Sequence, residues 1–169
     1  MKIKNTFLVL ICALLAAGCA SAPQSQTAAS SDVQKRVAEL APHHALVIAG
    51  ADGTIRTYDG RGLRPLFNAL EENGVKDAYV YDKVTGRASS LLLAYGGAKE
   101  LHTGMLSQEA IPILEKYHIK YTADKTVPYI LNRSKTGSCP MENVARSLDN
   151  AQTAYPQIKQ GFENLMAPK

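Results

Sequence analysis

The residue best equipped for covalent chemistry is Cys139, in the run Ser138-Cys139-Pro140-Met141-Glu142. Proline suits the first position of a helix, so the thiol is expected at a helix N-terminus. Unpaired N–H groups and the positive end of the helix dipole favour a thiolate there, and Arg133 and Lys135, close in sequence, act in the same sense. Cys139 is therefore a candidate nucleophile or oxidisable thiol. A structural role is equally open: Ser138 or Cys139 begins the helix, Glu142 reaches back as in a capping box, and the cysteine is buried and inert. No histidine lies near Cys139 in sequence, so a Cys–His pair would have to form through the fold.

A second group is Asp82-Lys83-Val84-Thr85-Gly86, where an apolar strand runs into a helical segment. Strand C-termini that lead into helix N-termini are where open α/β sheets bind ligands. Asp82, Lys83 and Gly86 are candidate ligand-binding residues on that ground, Gly86 because a missing Cβ permits close approach. The plainer roles are an N-cap for Asp82 and a solvated face for Lys83. Asn132 and Arg133 end a later strand and offer a fork of donors to an anionic ligand, or form an ordinary loop. His43-His44 precedes a strand and reads as a surface feature; no metal site and no cofactor are expected.

The elements that must position these residues alternate. Val33, Val37 and Leu40 recur at helical spacing before Pro42. Ala45–Ala49 and Thr54–Tyr58, joined by Gly50-Ala51-Asp52-Gly53, predict a β-hairpin. A helix follows through Leu63, Leu66, Phe67 and Leu70. A strand is expected at Ala78–Tyr81, a helix at Val84–Tyr95 stopped by Gly96-Gly97, and a strand at Lys99–His102. Ser107–Tyr117 is expected to be helical and disturbed by Pro112. Ile119–Ala123 and Val127–Leu131 are strands, or one interrupted strand. Pro140–Leu148 is a helix, and Ala151–Met166 is weakly helical with a break near Pro156. This order predicts an α/β layered domain with a mixed sheet covered by helices, over residues 32–155, followed by a tail at 156–169.

The N-terminus is of another kind. Lys2 and Lys4 precede the apolar run Thr6–Ala17, which has signal-peptide length and falls short of the roughly 20 residues that span a bilayer. Leu15-Ala16-Ala17-Gly18-Cys19 resembles a lipobox. Residues 1–18 are then a lipoprotein signal peptide, and Cys19 carries a thioether-linked diacylglycerol with palmitate-type acyl chains. An ordinary secretory signal cut after Ala20 or Ala22 is the alternative. Two or three acyl chains anchor stably where one does not. Residues 20–31 are small and polar and read as a tether reaching at most roughly 40 Å. Ala20 after the lipidated cysteine fits sorting to the outer membrane, facing the periplasm, in a cell with two membranes.

Removing Lys2 and Lys4 leaves 17 basic against 15 acidic residues, so the net charge falls from +4 to +2. With no basic stripe interleaved with aromatics, this is no nucleic-acid-binding composition. Signal removal discards Cys12 and lipidation uses Cys19, which isolates Cys139 as the one free thiol and excludes a disulfide within the domain.

Four blocks carry a family resemblance: Ala78-Tyr79-Val80-Tyr81-Asp82-Lys83-Val84-Thr85-Gly86-Arg87-Ala88, Leu91-Leu92-Leu93-Ala94-Tyr95-Gly96-Gly97, Val127-Pro128-Tyr129-Ile130-Leu131-Asn132-Arg133, and Cys139-Pro140-Met141-Glu142. From about His44 to Leu148 the chain resembles an uncharacterised bacterial and archaeal domain family with a cytidine deaminase-like fold. The resemblance implies a three-layer domain with a mixed sheet of about five strands. It does not imply deamination. Zinc deaminases need a His-x-Glu pattern and Pro-Cys-x-x-Cys to complete the metal shell. Here the corresponding helix starts are Arg61-Gly62-Leu63-Arg64 and Asp82-Lys83-Val84-Thr85-Gly86, which hold no such ligands.

Three functions follow as expectations. The first is a membrane-anchored module that binds a small anionic or nucleoside-like ligand. The second is a thiol-dependent enzyme or redox sensor using Cys139. The third is a structural or interaction lipoprotein of the cell envelope.

Overall fold

A computed structural model describes residues 29–167. The signal peptide, Cys19 and most of the expected tether lie outside them. The chain enters as α1 (Ser31–Leu40), capped by the Ser30 hydroxyl, which accepts the Val33 N–H at 3.4 Å. The hairpin β1 (Leu46–Ala49) and β2 (Ile55–Tyr58) follows, then α2 (Arg64–Glu72) with Pro65 in its first turn. Next come β3 (Tyr79–Thr85), α3 (Arg87–Gly96) and β4 (Glu100–Ser107). A 3-10 turn at Gln108–Ala110 leads into α4 (Ile111–Lys116), so Pro112 sits in the first turn of a helix and does not break one. The chain ends with β5 (Lys120–Ala123), β6 (Thr126–Val127), α5 (Pro140–Ala145) and α6 (Ala151–Met166).

The sheet order is β2-β1-β3-β4-β5, with β6 also pairing with β4. β1 is antiparallel to both β2 and β3, and the other pairings are parallel, so the sheet is mixed as expected. Glu100 faces Lys120 and Leu106 faces Thr126, the same offset, so β5 and β6 are two parts of one edge strand interrupted at Asp124-Lys125.

Helices cover both faces in a three-layer arrangement. On one face α1 packs Val37 and Ala41 against Val47, Ala49 and Tyr81. On the other, α2, α3 and α4 cover Leu46, Ile48, Val80 and Leu101. β1 is buried along its whole length because both of its faces are covered. α3 is enclosed on the sheet side and again by α5 and α6, and residues 88–93 are all buried. That double cover explains why its sequence is apolar nearly all round.

Several expected boundaries shift. β3 runs to Thr85 and α3 begins at Arg87, because the extended backbone continues through Asp82-Lys83-Val84 to keep pairing with β4. β4 extends to Ser107 for the same reason. Val127–Leu131 yields only β6 and an isolated bridge from Leu131 to Ser138, and α5 stops at Ala145. The expected break at Pro156 is absent: α6 is one 16-residue helix. Ala154, Ile158 and Phe162 are buried on its inner face, and this packing, together with an Asn150 cap that accepts the Gln152 and Thr153 N–H groups, outweighs the proline penalty.

Candidate functional site

Asp82 is not the N-cap of α3. It lies inside β3, and Gly86 occupies the cap position without a side-chain cap. Strand alternation turns Asp82 toward α3, on the other side of the sheet from Tyr81 and Lys83. There its carboxylate accepts three hydrogen bonds: from the Ser89 hydroxyl at 2.6 Å, the Thr85 hydroxyl at 2.9 Å and the Val84 N–H at 3.3 Å. The Thr85 hydroxyl also lies 3.1 Å from that of Thr103, which in turn donates to the Met105 carbonyl. Ser89, Thr85 and Thr103 are fully or nearly buried. Burial pushes the Asp82 carboxyl up to about 6, against the pull of its Ser89, Thr85 and Val84 hydrogen bonds. A buried carboxyl raised toward neutrality can accept or hold a proton.

Glu142, only 1% exposed, lies against Gly86. The expected capping box does not form: the Cys139 N–H donates to the Ile130 carbonyl at 2.8 Å, and the Glu142 side chain points elsewhere. Its Oε2 accepts the Arg87 N–H at 3.1 Å, so it caps α3 from a distant part of the chain. Its Oε1 has no hydrogen-bond partner of ordinary geometry among the described residues. Burial pushes the Glu142 carboxyl up and the Glu109 charge adds to this, while the Arg87 N–H and the Ser107 and Ile130 groups oppose it.

Gly86 makes room for this arrangement. A Cβ there would lie 2.5 Å from Glu142 Oε1 and 3.3 Å from the Ile130 side chain. The φ of −100° suits any residue, so the need for glycine is steric. The close approach expected at Gly86 is thus made by Glu142 of the same chain. Arg87, not singled out from the sequence as a functional residue, locks the assembly. Its Nε donates to the Ala145 and Leu148 carbonyls at 2.9 and 3.1 Å, Nη2 to Leu148 at 2.7 Å, and Nη1 to the Glu109 carbonyl at 3.2 Å.

The remaining expected site residues are not brought to Asp82. Lys83 is exposed on the opposite face of the sheet. Asn132 organises its own loop: its Oδ1 accepts the Thr136 N–H at 3.0 Å and its Nδ2 donates to the Thr136 hydroxyl at 3.1 Å. Arg133 is exposed in that loop, which the Leu131–Ser138 bridge closes. Cys139 is the N-cap residue of α5, as expected, but it is half-buried and packs against the main core, and α5 is only six residues long. His44 pairs with Asp59 at 2.8 Å. Among the described residues no group of three or more His, Cys, Asp or Glu side chains could hold a metal ion. Two clefts are formed elsewhere, one between α1 and the sheet and one around Gly50, Asp77 and His118; neither is bordered by Asp82, Lys83 or Cys139.

The sequence signal for the Asp82 seat is the run Asp82, Thr85, Ser89. Its i, i+3, i+7 spacing reads as one helix face, yet Asp82 and Thr85 lie in β3 and only Ser89 lies in the first turn of α3.

No curated protein matches the sequence. The crystal structure of a DUF1893 family protein (TM1506) from Thermotoga maritima is similar in fold, with a TM-score of 0.73 at 16% identity, over 85% of this chain and 99% of that one. A family model described as a domain of unknown function (DUF1893; TM1506) matches residues 35–162, which run from α1 to α6. That match covers well over half of the chain, and the chain therefore belongs to the DUF1893 family.

Proposed function

We propose that this domain is a small-ligand-binding module on a cytidine deaminase-like scaffold, held at the cell envelope by lipidated Cys19, and that the ligand meets Asp82. The observation that carries the reading is the seat of Asp82: a carboxyl raised toward neutrality, fixed within β3 by Ser89 and Thr85, next to the first turn of α3. The strand order, with an antiparallel hairpin followed by parallel strands, supports the deaminase-like assignment. A nucleoside-like molecule with N–H or O–H donors suits this seat better than an anion does, since Asp82 is an acid. The helix starts that would carry zinc ligands hold none, which favours binding over zinc-dependent deamination.

The test is thermal-shift screening of the purified protein against a panel of nucleosides, repeated with Asp82→Asn. A stabilising nucleoside whose effect disappears in the variant supports the reading; a panel without effect, or an effect unchanged in the variant, sinks it. Anchoring is tested separately by membrane fractionation and labelled-palmitate incorporation, with Cys19→Ala expected to release the domain and abolish labelling.

A further inference from the structure

A second cluster lies on the other face of the sheet, remote from Asp82. α1 covers only β1 and part of β3, and between it and β4 the sheet opens into a cleft of about 380 Å³, in the size range of small-molecule sites. One face of α1, Gln34, Lys35 and Ala38, forms a wall. Tyr79 and Tyr81 form the floor, and His102 stands on the far side. The His102 ring is stacked on that of Tyr81, with centroids 5.8 Å apart and planes 24° apart.

The partners of His102 decide what it can do. Its Nδ1 lies 2.8 Å from the Thr122 hydroxyl, and its Nε2 lies 3.2 Å from Asp124 Oδ1. Thr122 is the direct cross-strand neighbour on β5, and Asp124 stands two residues further along the same face. Both nitrogens are occupied, so neither is free to ligate a metal or take a proton from a substrate. What remains is the ring face. The side chain is 32% exposed and lines the cleft. On the opposite wall Lys35 adds an ammonium. Gln34 donates to Glu100 Oε1 at 3.4 Å.

An aromatic ring on one side, a lysine on the facing helix and two tyrosines on the floor select one chemistry. We infer that this cleft binds a small planar aromatic carboxylate, its ring stacked on His102 and its carboxylate paired with Lys35. The site is independent of the Asp82 seat, because strand alternation puts the two on opposite faces of the sheet.

The test is an NMR titration of the purified protein with salicylate. Two further probes serve as comparisons: cyclohexanecarboxylate, an anion without an aromatic ring, and benzamidine, an aromatic cation. Salicylate is expected to saturate with a Kd on the order of 1 mM, as befits a ligand of about ten heavy atoms. Shifts should centre on Lys35, Tyr79 and His102. His102→Ala and Lys35→Ala, both at surface positions, should each weaken binding about five-fold, and cyclohexanecarboxylate should bind weaker by a similar factor. The inference is overturned if salicylate does not saturate by about 10 mM, if its shifts map elsewhere, if His102→Ala leaves binding unchanged, or if either comparison probe binds as well as salicylate.

Discussion

Glu142, on α5, caps α3 by accepting the Arg87 N–H at 3.1 Å from 55 residues further along the chain. The first turn of the most buried helix is thus completed by tertiary structure. The same carboxylate sits against the bare Cα of Gly86, and Arg87 reaches back to the carbonyls that end the α5 region. These three residues form one interlocked unit at the edge of the Asp82 seat.

Gly86→Ala is expected to destabilise the fold by about 1–3 kcal/mol, because the new methyl overlaps Glu142 Oε1 inside a closed region. The backbone at Gly86 tolerates alanine, so the cost is the clash alone. A Gly86→Ala/Glu142→Ala double variant should therefore cost less than the sum of the singles. Urea unfolding of the four proteins measures this; strict additivity would show that the two side chains do not meet.

Arg87→Lys should cost about 2 kcal/mol or more. A lysine keeps the charge but cannot supply the fork that serves three carbonyls on two segments. The expected signature is a lower melting temperature with early loss of protection in α5 by hydrogen exchange. A variant as stable as the parent would mean the guanidinium contacts contribute nothing net.

Asp82 gives a pH dependence with a definite sign. Its folded pKa of about 6 lies above the ordinary 3.8, so the folded protein retains a proton that the unfolded chain releases. The stabilisation from this group is fully present below about pH 4 and is lost as the pH rises through about 6. Glu142 shifts in the same direction through burial and adds to the trend. Asp82→Asn removes one of these titrations. The difference in unfolding free energy between variant and parent should change by about 2 kcal/mol between pH 4 and pH 7, in favour of the variant at the higher pH. A difference independent of pH would place the Asp82 pKa at its ordinary value.

Pro156→Ala should stabilise the protein by about 1–2 kcal/mol. Pro156 lies inside α6, where it removes one helix hydrogen bond and crowds the preceding turn. Part of that gain is offset because the proline also restricts the unfolded chain. Thermal melts suffice to check it, and a lower melting temperature would show that α6 depends on the ring at this position.

The local elements were legible where the signal is local. Pro42, Gly97 and the Gly50–Gly53 turn mark ends that any context would respect, and the helix faces follow from apolar spacing. Pro156 was misleading for the converse reason: a local breaker weighs little against Ile158 and Phe162 buried on one face. The Asp82 seat was legible only as a place. Its residues were half visible as Asp82 and Gly86, but Lys83, Asn132 and Arg133 looked equally suited to it, because sequence neighbours on a strand or loop do not declare which way they point.

The sequence by itself determined the alternation of strands and helices, the segments that fold as a mixed α/β domain, and the start of a helix at Ser138-Cys139-Pro140. These depend on side-chain periodicity and on the backbone limits of proline and glycine, which are properties of neighbours in the chain. Only the tertiary structure decided that Glu142 serves α3 and not its own helix, that Gly86 is small for the sake of Glu142, and that His102, Thr122 and Asp124 meet across β4 and β5. Those relations join groups many residues apart, and their energies come from burial and hydrogen-bond geometry that exist only once the sheet has been assembled.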